Sequence, residues 1–143
     1  LTQNGPKVIE FNARFGDPET EVVLPKIKSD LVQHILDVLD NKATQVEFYD
    51  ETFLGVVLSS NGYPGSYAKG VAINGLENVK QLVFHMGTAY KDGAWVTAGG
   101  RVLFVVGKGK DIYEARKDAY DGVSKIKSEG LFFRSDIGFQ SCK

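Results

Sequence analysis

Cysteine and methionine are almost missing from this chain of 143 residues, which contains one of each. Cys142 has no cysteine partner, so an internal disulfide is excluded and a reducing, cytoplasmic setting is predicted. The only methionine is Met86 and the first residue is Leu1. We therefore expect a fragment or processed chain whose missing part lies upstream.

The sequence also lacks an excess of either charge and any long apolar run. With 17 basic and 18 acidic residues the net charge is -1, which argues against a nucleic-acid-binding domain and a polybasic membrane anchor. No apolar run reaches the roughly 20 residues of a membrane span. What the chain does have is 43% hydrophobic and 24% charged residues, a composition typical of a small folded domain.

Charge and periodicity divide the chain near Asn41-Lys42. Residues 1–41 carry 4 basic and 7 acidic residues, and residues 42–143 carry 13 and 11. The first section alternates apolar and polar residues over 7–13, which predicts a strand. Apolar residues then recur every three or four positions, which predicts one helix that Pro25 begins and that ends near Asp40.

The second section is rich in predicted strands, at 52–60, 81–86, 101–106 and 131–133. Asp92-Gly93 predicts a hairpin turn between 88–91 and 94–97. A helix over about 111–127 is predicted from an Asp111 N-cap with Glu114 as its capping-box partner, and Gly130 is expected to stop it. The expected fold is α+β, with an antiparallel sheet and a packed helix.

The first candidate for chemistry is the polar face of the predicted strand 7–13. Glu10, Asn12 and Arg14 alternate with apolar residues and would point the same way. Adjacent oxygen ligands suit Mg²⁺, and a guanidinium can hold a phosphate or carboxylate. The same alternation is typical of a half-exposed strand with a solvated face, so spacing alone leaves both interpretations open.

Other polar features carry weaker signals. Acidic residues before a helix are usually capping partners, and the glycine loops at 61–66 and 97–101 suit either an anion or a turn. Gly107-Lys108-Gly109 imitates a dinucleotide fingerprint but has Ile112 where the third glycine belongs, so we reject it. His34 and His85 are expected to have no nearby cysteine or serine partner, so neither supports nucleophilic catalysis or a zinc site. Cys142 is expected to be incidental.

The residues at 5–21, GPKVIEFNARFGDPETE, resemble the signature of the phosphoribosylamine–glycine ligase family. The resemblance continues in family order through GYPGSY at 62–67, VFHMGT at 83–88, GGRVL at 99–103 and RSDIG at 134–138. It covers nearly the whole chain, and RFGDPE is its most specific part. Glu21 stands where the family often has glutamine.

This resemblance implies the end of an ATP-grasp core in residues 1–41 and the family's small C-terminal domain in 42–143. It implies an ATP-dependent ligase of purine biosynthesis that joins glycine to 5-phosphoribosylamine through glycyl phosphate. Glu10 and Asn12 would be ligands of Mg²⁺ or Mn²⁺, and Arg14 would contact the acyl phosphate or a substrate anion. Weaker substrate-binding candidates are Asp17, Pro18, Glu19, Gly99, Gly100 and Arg101.

Three loops, 62–66, 99–101 and 134–138, are expected to face the Glu10 segment and form a lip of the substrate site. The expected partners are glycine, 5-phosphoribosylamine, ATP and the missing N-terminal part, with neither nucleic acid nor membrane. The chain alone is expected to be inactive. The alternatives are another ATP-grasp ligase and a non-catalytic binding or assembly module with the same fold.

Overall fold

Two antiparallel sheets and three helices make up this α+β structure, a computed structural model in which residues 2–142 are described. Short 3₁₀ turns lie at Leu76–Asn78 and Phe139–Cys142. The helices and strands follow one another as α1 (Thr20–Lys26), α2 (Leu31–Leu39), β1 (Thr52–Ser60), β2 (Ala72–Ile73), β3 (Leu82–His85), β4 (Thr88–Lys91), β5 (Ala94–Thr97), β6 (Arg101–Gly109), α3 (Ile112–Lys125) and β7 (Leu131–Phe133).

The larger sheet has the strand order β3-β6-β1-β7 and contains most of the core. Its central pair, β1 and β6, runs in register from Thr52 opposite Gly109 to Leu58 opposite Leu103, and a bulge then pairs Ser59 with Arg101. Both strands are rich in β-branched and other apolar residues, which favour a buried sheet. The four strands predicted for this sheet are confirmed, with β6 extending to Gly109.

Helix α3 covers one face of this sheet. Its apolar residues Ala115, Ala119 and Val123 are buried and pack into the main core. Asp111 caps the helix as predicted, because its carboxylate accepts a 2.9 Å hydrogen bond from the Glu114 N–H. The Glu114 carboxylate accepts instead from the Lys110 N–H, so the reciprocal half of the capping box does not form.

The end of α3 differs from the prediction. The helix stops at Lys125, where Ile126 becomes extended and donates its N–H to the Val123 carbonyl. Gly130 therefore does not stop the helix but lies in the turn that leads into β7. Lys127 then exchanges backbone hydrogen bonds with Asn74, which explains why the chain leaves the helix early.

The smaller sheet has the order β2-β5-β4. Its hairpin turns at Asp92 and Gly93, whose φ angles are 50° and 82°. Both angles lie in the left-handed region that a type I′ turn requires and that glycine adopts without a steric penalty. The predicted hairpin is confirmed with its strand bounds.

The strand predicted over 7–13 does not form. Ile9 and Phe11, expected to face a core, are 97% and 90% exposed, and the segment has no regular secondary structure. A strand is stabilised by hydrogen bonds to a neighbouring strand. Within residues 2–142 no strand pairs with this segment.

The single helix predicted to begin at Pro25 is two helices. Pro25 lies inside α1, near its end, where it cannot donate a backbone hydrogen bond to the preceding turn. Ile27 is extended and pairs with Phe48. The Asp30 carboxylate then caps α2 by accepting from the N–H groups of Val32 and Gln33, so a new helix begins.

The domain boundary near Asn41-Lys42 stays a prediction. The backbone on its two sides is connected, because the Lys28 N–H donates to Glu47 at 2.8 Å and the Tyr49 N–H donates to Lys26 at 2.9 Å. In the part of the chain that the structure describes, each helix is too short or too polar to cross a lipid bilayer.

Candidate functional site

The two predicted metal ligands lie side by side although their segment is not a strand. Asn12 Nδ2 donates a 3.1 Å hydrogen bond to Glu10 Oε1, and both side chains are exposed. Arg14 is also exposed, and its Nη1 donates to the Phe15 carbonyl at 2.7 Å. Glu10 and Asn12 therefore lie together without a sheet around them, and Arg14 is directed toward the backbone of the next residue.

These two side chains fit a magnesium ion as partial ligands. The Asn12–Glu10 hydrogen bond uses an amide N–H and one carboxylate oxygen, which leaves the Asn12 carbonyl and the second carboxylate oxygen as oxygen donors. Mg²⁺ is commonly held by one or two carboxylates and completes its octahedron with water and phosphate oxygens. Among residues 2–142 no group of three or more His, Cys, Asp or Glu side chains could hold a metal.

Two of the predicted substrate-binding residues bind each other. Arg101 Nη2 lies 3.0 Å from Asp17 Oδ2, and Arg101 Nη1 donates to the Asp17 backbone carbonyl at 3.1 Å. Arg101 begins β6, whereas Asp17 lies in the turn before α1. The family signature at 5–21 is thereby joined to the GGRVL motif at 99–103.

Close packing explains why glycine stands at positions 99 and 100. The carbonyls of both residues accept hydrogen bonds from Ser60, each at 2.8 Å. A Cβ on Gly100 would lie 2.3 Å from the Tyr63 ring, and a Cβ on Gly99 would lie 3.1 Å from Gly87 Cα. Close packing therefore favours glycine at both positions, whether or not a substrate also contacts the loop.

A cavity of about 670 Å³ lies between α1 and the face of the larger sheet that α3 does not cover. Its sheet wall includes Gly55, Val57 and Phe104, and its opposite wall includes Pro18 and the apolar side of α1. Gly55 is essential to its shape, because a Cβ there would lie 1.9 Å from the Phe104 ring. Sequence reasoning missed this cavity; the glycine inside a buried strand was the available signal.

The three loops expected to form a lip come together around Asp17–Glu19. Tyr63 and Pro64 from the first loop, and Arg134 and Ile137 from the third, line the same cavity as Pro18 and Glu19. The middle loop reaches the same place through the ion pair between Arg101 and Asp17. Their contact with a substrate stays a prediction.

Helix α3 fixes the backbone of the third loop. Arg116 donates to the carbonyls of Ile137 and Ser135, and Tyr120 Oη donates to the Arg134 carbonyl. On this fixed backbone Arg134 and Asp136 form a bidentate pair at 2.9 and 2.6 Å. The hydrogen bond from Arg134 lowers the pKa of Asp136, and the same bond to the Asp136 carboxylate raises the pKa of Arg134.

Replacing Arg134 by glutamine should raise the pKa of Asp136, measured by carboxyl carbon NMR, because the charged donor is lost. Since folding lowers this pKa, the pair stabilises the folded chain above the pKa of an unfolded aspartate and ceases to do so as pH falls through the folded value. Lys91→Gln, which removes a distant cation, is the control. An unchanged Asp136 titration in Arg134→Gln would contradict the assignment.

The histidines have partners that the sequence did not predict. His34 Nε2 lies 2.6 Å from Ser29 Oγ, and its Nδ1 bonds to Thr44. The expectation that His34 has no serine partner is therefore wrong. Ser29 Oγ also accepts the Glu47 N–H, so this cluster joins α2 to the following segment. His85 bonds to Thr88 and packs on Trp95; the Cys142 side chain lies outside the described residues.

Comparison with known proteins supports the resemblance seen in the motifs. Residues 53–140 match the family described as Phosphoribosylglycinamide synthetase, C domain. The phosphoribosylamine–glycine ligase of Halalkalibacterium halodurans is 53% identical over 96% of this chain and 33% of its own length. The human trifunctional purine biosynthetic protein adenosine-3 is 48% identical over 99% of this chain and 15% of its own length.

A solved structure has the same fold. The crystal structure of phosphoribosylamine–glycine ligase from Thermotoga maritima superposes with a TM-score of 0.82 and 37% sequence identity, over 96% of this chain and 34% of that one. This chain thus spans about a third of the bacterial relatives it matches. By its matched residues, its motifs and its fold, the chain belongs to the phosphoribosylglycinamide synthetase C-domain family.

Proposed function

We propose that this chain is the C-terminal part of an ATP-dependent ligase that joins glycine to 5-phosphoribosylamine in purine biosynthesis. The main support for this proposal is 53% sequence identity, over 96% of the chain, to a protein named phosphoribosylamine–glycine ligase. The adjacent Glu10 and Asn12 side chains, in the family's signature, supply the chemical support. The single cysteine favours a cytoplasmic location for the complete enzyme.

The proposed reaction has two steps. A carboxylate oxygen of glycine attacks the γ-phosphorus of ATP, ADP leaves, and glycyl phosphate forms. The amine nitrogen of 5-phosphoribosylamine then attacks the glycyl carbonyl carbon, inorganic phosphate leaves, and the nitrogen loses a proton. The first step brings two anions together, so catalysis depends on positive charge placed around the transferring phosphoryl group.

Glu10 and Asn12 would hold Mg²⁺, or Mn²⁺, beside the ATP phosphates. When bound, the metal would offset negative charge on the phosphates. Arg14 stands two residues further along the same exposed segment. Its guanidinium would leave the Phe15 carbonyl to contact the acyl phosphate or the glycine carboxylate, which planar guanidinium groups bind through two parallel hydrogen bonds.

The chain alone is proposed to be inactive. An ATP-grasp site is enclosed between two subdomains, and Glu10 and Asn12 stand on an exposed segment that provides one side of it. Two ligands without phosphate oxygens make a weak magnesium site. The partner that completes the site would be the upstream part of the same protein.

The test compares the complete ligase with residues 1–143. Release of ADP in the presence of glycine and 5-phosphoribosylamine should occur only with the complete protein, and calorimetry should detect no micromolar Mg·ATP binding by the chain alone. Turnover by residues 1–143 would contradict the proposal that the chain alone is inactive. A complete protein without ligase activity would contradict the proposed function and favour a binding or assembly module.

A further inference from the structure

The contact between Arg101 and Asp17 uses both ends of the guanidinium. One terminal nitrogen pairs with the Asp17 carboxylate at 3.0 Å, and the other donates to the Asp17 backbone carbonyl at 3.1 Å. The two residues are 84 positions apart. A carboxylate contact alone would fix a side chain, whereas the added carbonyl contact also fixes the backbone at Asp17. We call this paired contact the Arg101–Asp17 latch.

The Arg101 side of the latch is rigid. Arg101 is paired with Ser59 in the larger sheet, and the residues before it are held by Ser60 and by hydrogen bonds from Ala98 and Gly99 to the Gly87 carbonyl. Gly100 lies directly under the Tyr63 ring. The backbone position of Arg101 is therefore determined by the larger sheet.

Asp17 lies in the turn that leads into α1, where the Thr20 N–H donates to the Gly16 carbonyl, but the segment before this turn has few attachments. Over residues 7–15, the described hydrogen bonds join neighbours in the segment, from Asn12 to Glu10 and from Arg14 to Phe15. The side chains of Ile9 and Phe11 are almost fully exposed. The position of Glu10 and Asn12 thus depends on where the segment is held at its end, in the turn at 16–19.

We infer that Arg101 is a positioning residue, which, through Asp17, sets the place of the segment that carries Glu10 and Asn12. The inference rests on the proposed function for its effect on catalysis. Substrate binding by Asp17 and Arg101 stays a prediction, and the contact between them supports a positioning role for the pair. An exposed ion pair adds little to folding stability, and the two side chains here are 36% and 49% exposed, so orientation is the stronger explanation for a bidentate contact.

The first test measures kinetics in the complete ligase. Arg101→Met should lower kcat and raise the Mg²⁺ concentration for half-maximal rate, each by about tenfold or more, the range found when groups that orient metal ligands are removed. Arg101→Lys, which keeps the charge and one contact, should lose less. Lys108→Met is the matched control, since Lys108 lies on the same strand and forms a 3.0 Å ion pair with Glu51.

A charge exchange separates positioning from substrate binding. Asp17→Arg and Arg101→Asp should each raise the Mg²⁺ concentration for half-maximal rate. The double variant should recover part of this loss, because it restores the side-chain ion pair but not the contact with the residue-17 carbonyl. Failure of the double variant to recover, with a raised KM for one substrate alone, would overturn the inference in favour of direct substrate contact. Normal Mg²⁺ dependence in Arg101→Met would overturn it as well.

The second test uses the 143-residue chain and needs no activity. The ¹⁵N heteronuclear NOE of Gly16, Asp17 and Glu19 should fall in Arg101→Met and stay unchanged in Lys108→Met, with Trp95 fluorescence reporting that both variants are folded. Unchanged values in Arg101→Met would overturn the latch. If the complete protein showed no ligase activity, the proposed function would fail while this measurement still decided whether Arg101 holds the segment.

Discussion

Replacing Glu10 by alanine in the complete protein should reduce the proposed ligase turnover by at least about 100-fold, because loss of the proposed direct metal ligand should exceed the 10–100-fold effect of losing an outer-shell partner. The fold should be almost unaffected. Glu10 is exposed, and its described hydrogen bond is to Asn12 in the same segment. The measurements are ADP release at several Mg²⁺ concentrations and the thermal midpoint of unfolding.

Two further variants show whether the effect belongs to the metal. Glu10→Gln keeps the size of the side chain and an oxygen that can accept from Asn12, but removes the charge, so its activity should recover in part at high Mg²⁺. Glu77→Ala is the control, because Glu77 is an acidic residue that bonds to the neighbouring Asn78 in a distant 3₁₀ turn. Normal turnover of Glu10→Ala at ordinary Mg²⁺ would refute the assignment.

Gly107→Ala should be strongly destabilising, costing about 3 kcal/mol of the free energy of unfolding, at the upper end of overpacking effects. Gly107 lies on buried β6 where α3 crosses it. An added Cβ would lie 2.1 Å from the Ala119 nitrogen and 2.5 Å from the Ala115 carbonyl oxygen. These are backbone atoms, so the whole helix would have to move away from the core.

Urea unfolding, followed by circular dichroism and by the fluorescence of Trp95, measures this cost. Gly65→Ala is the matched control: it adds the same methyl group in an exposed loop, where the nearest atom is the Gly62 oxygen at 3.1 Å. Its unfolding free energy should change by less than about 0.5 kcal/mol. A loss in Gly107→Ala no larger than that of the control would show that α3 does not approach β6 this closely.

The strands, hairpin and helix of residues 42–143 could be predicted from sequence because the segments that pair with one another all lie within this chain. The apolar runs of β1 and β6 pair with each other, and Asp92-Gly93 joins two adjacent strands. Gly107 and Gly109 were rejected as a dinucleotide motif, and the structure supplies their role, since α3 lies against both. The α+β class follows from elements of this kind.

The structure differs from the predictions in segments whose conformation depends on residues distant in the sequence, or on a pairing strand that the described residues do not provide. Alternation over 7–13 predicts a strand, but a strand needs an adjacent strand, and the described residues provide none. The break between α1 and α2 follows from the pairing of Ile27 with Phe48. The cavity depends on the register that places Phe104 over Gly55. Asp17 and Arg101 were both identified, but sequence could not show that they bind each other.

The latch also has a consequence for the order in which this chain acquires its structure. Asp17 precedes Arg101 by 84 residues, and closing a loop costs more conformational entropy as its length grows. We therefore expect local pairings such as the β4–β5 hairpin to form early, and the guanidinium to bind Asp17 only after the larger sheet has fixed β6. Glu10 and Asn12 precede β6 in the chain, yet we expect them to reach their final position only after β6 is in place.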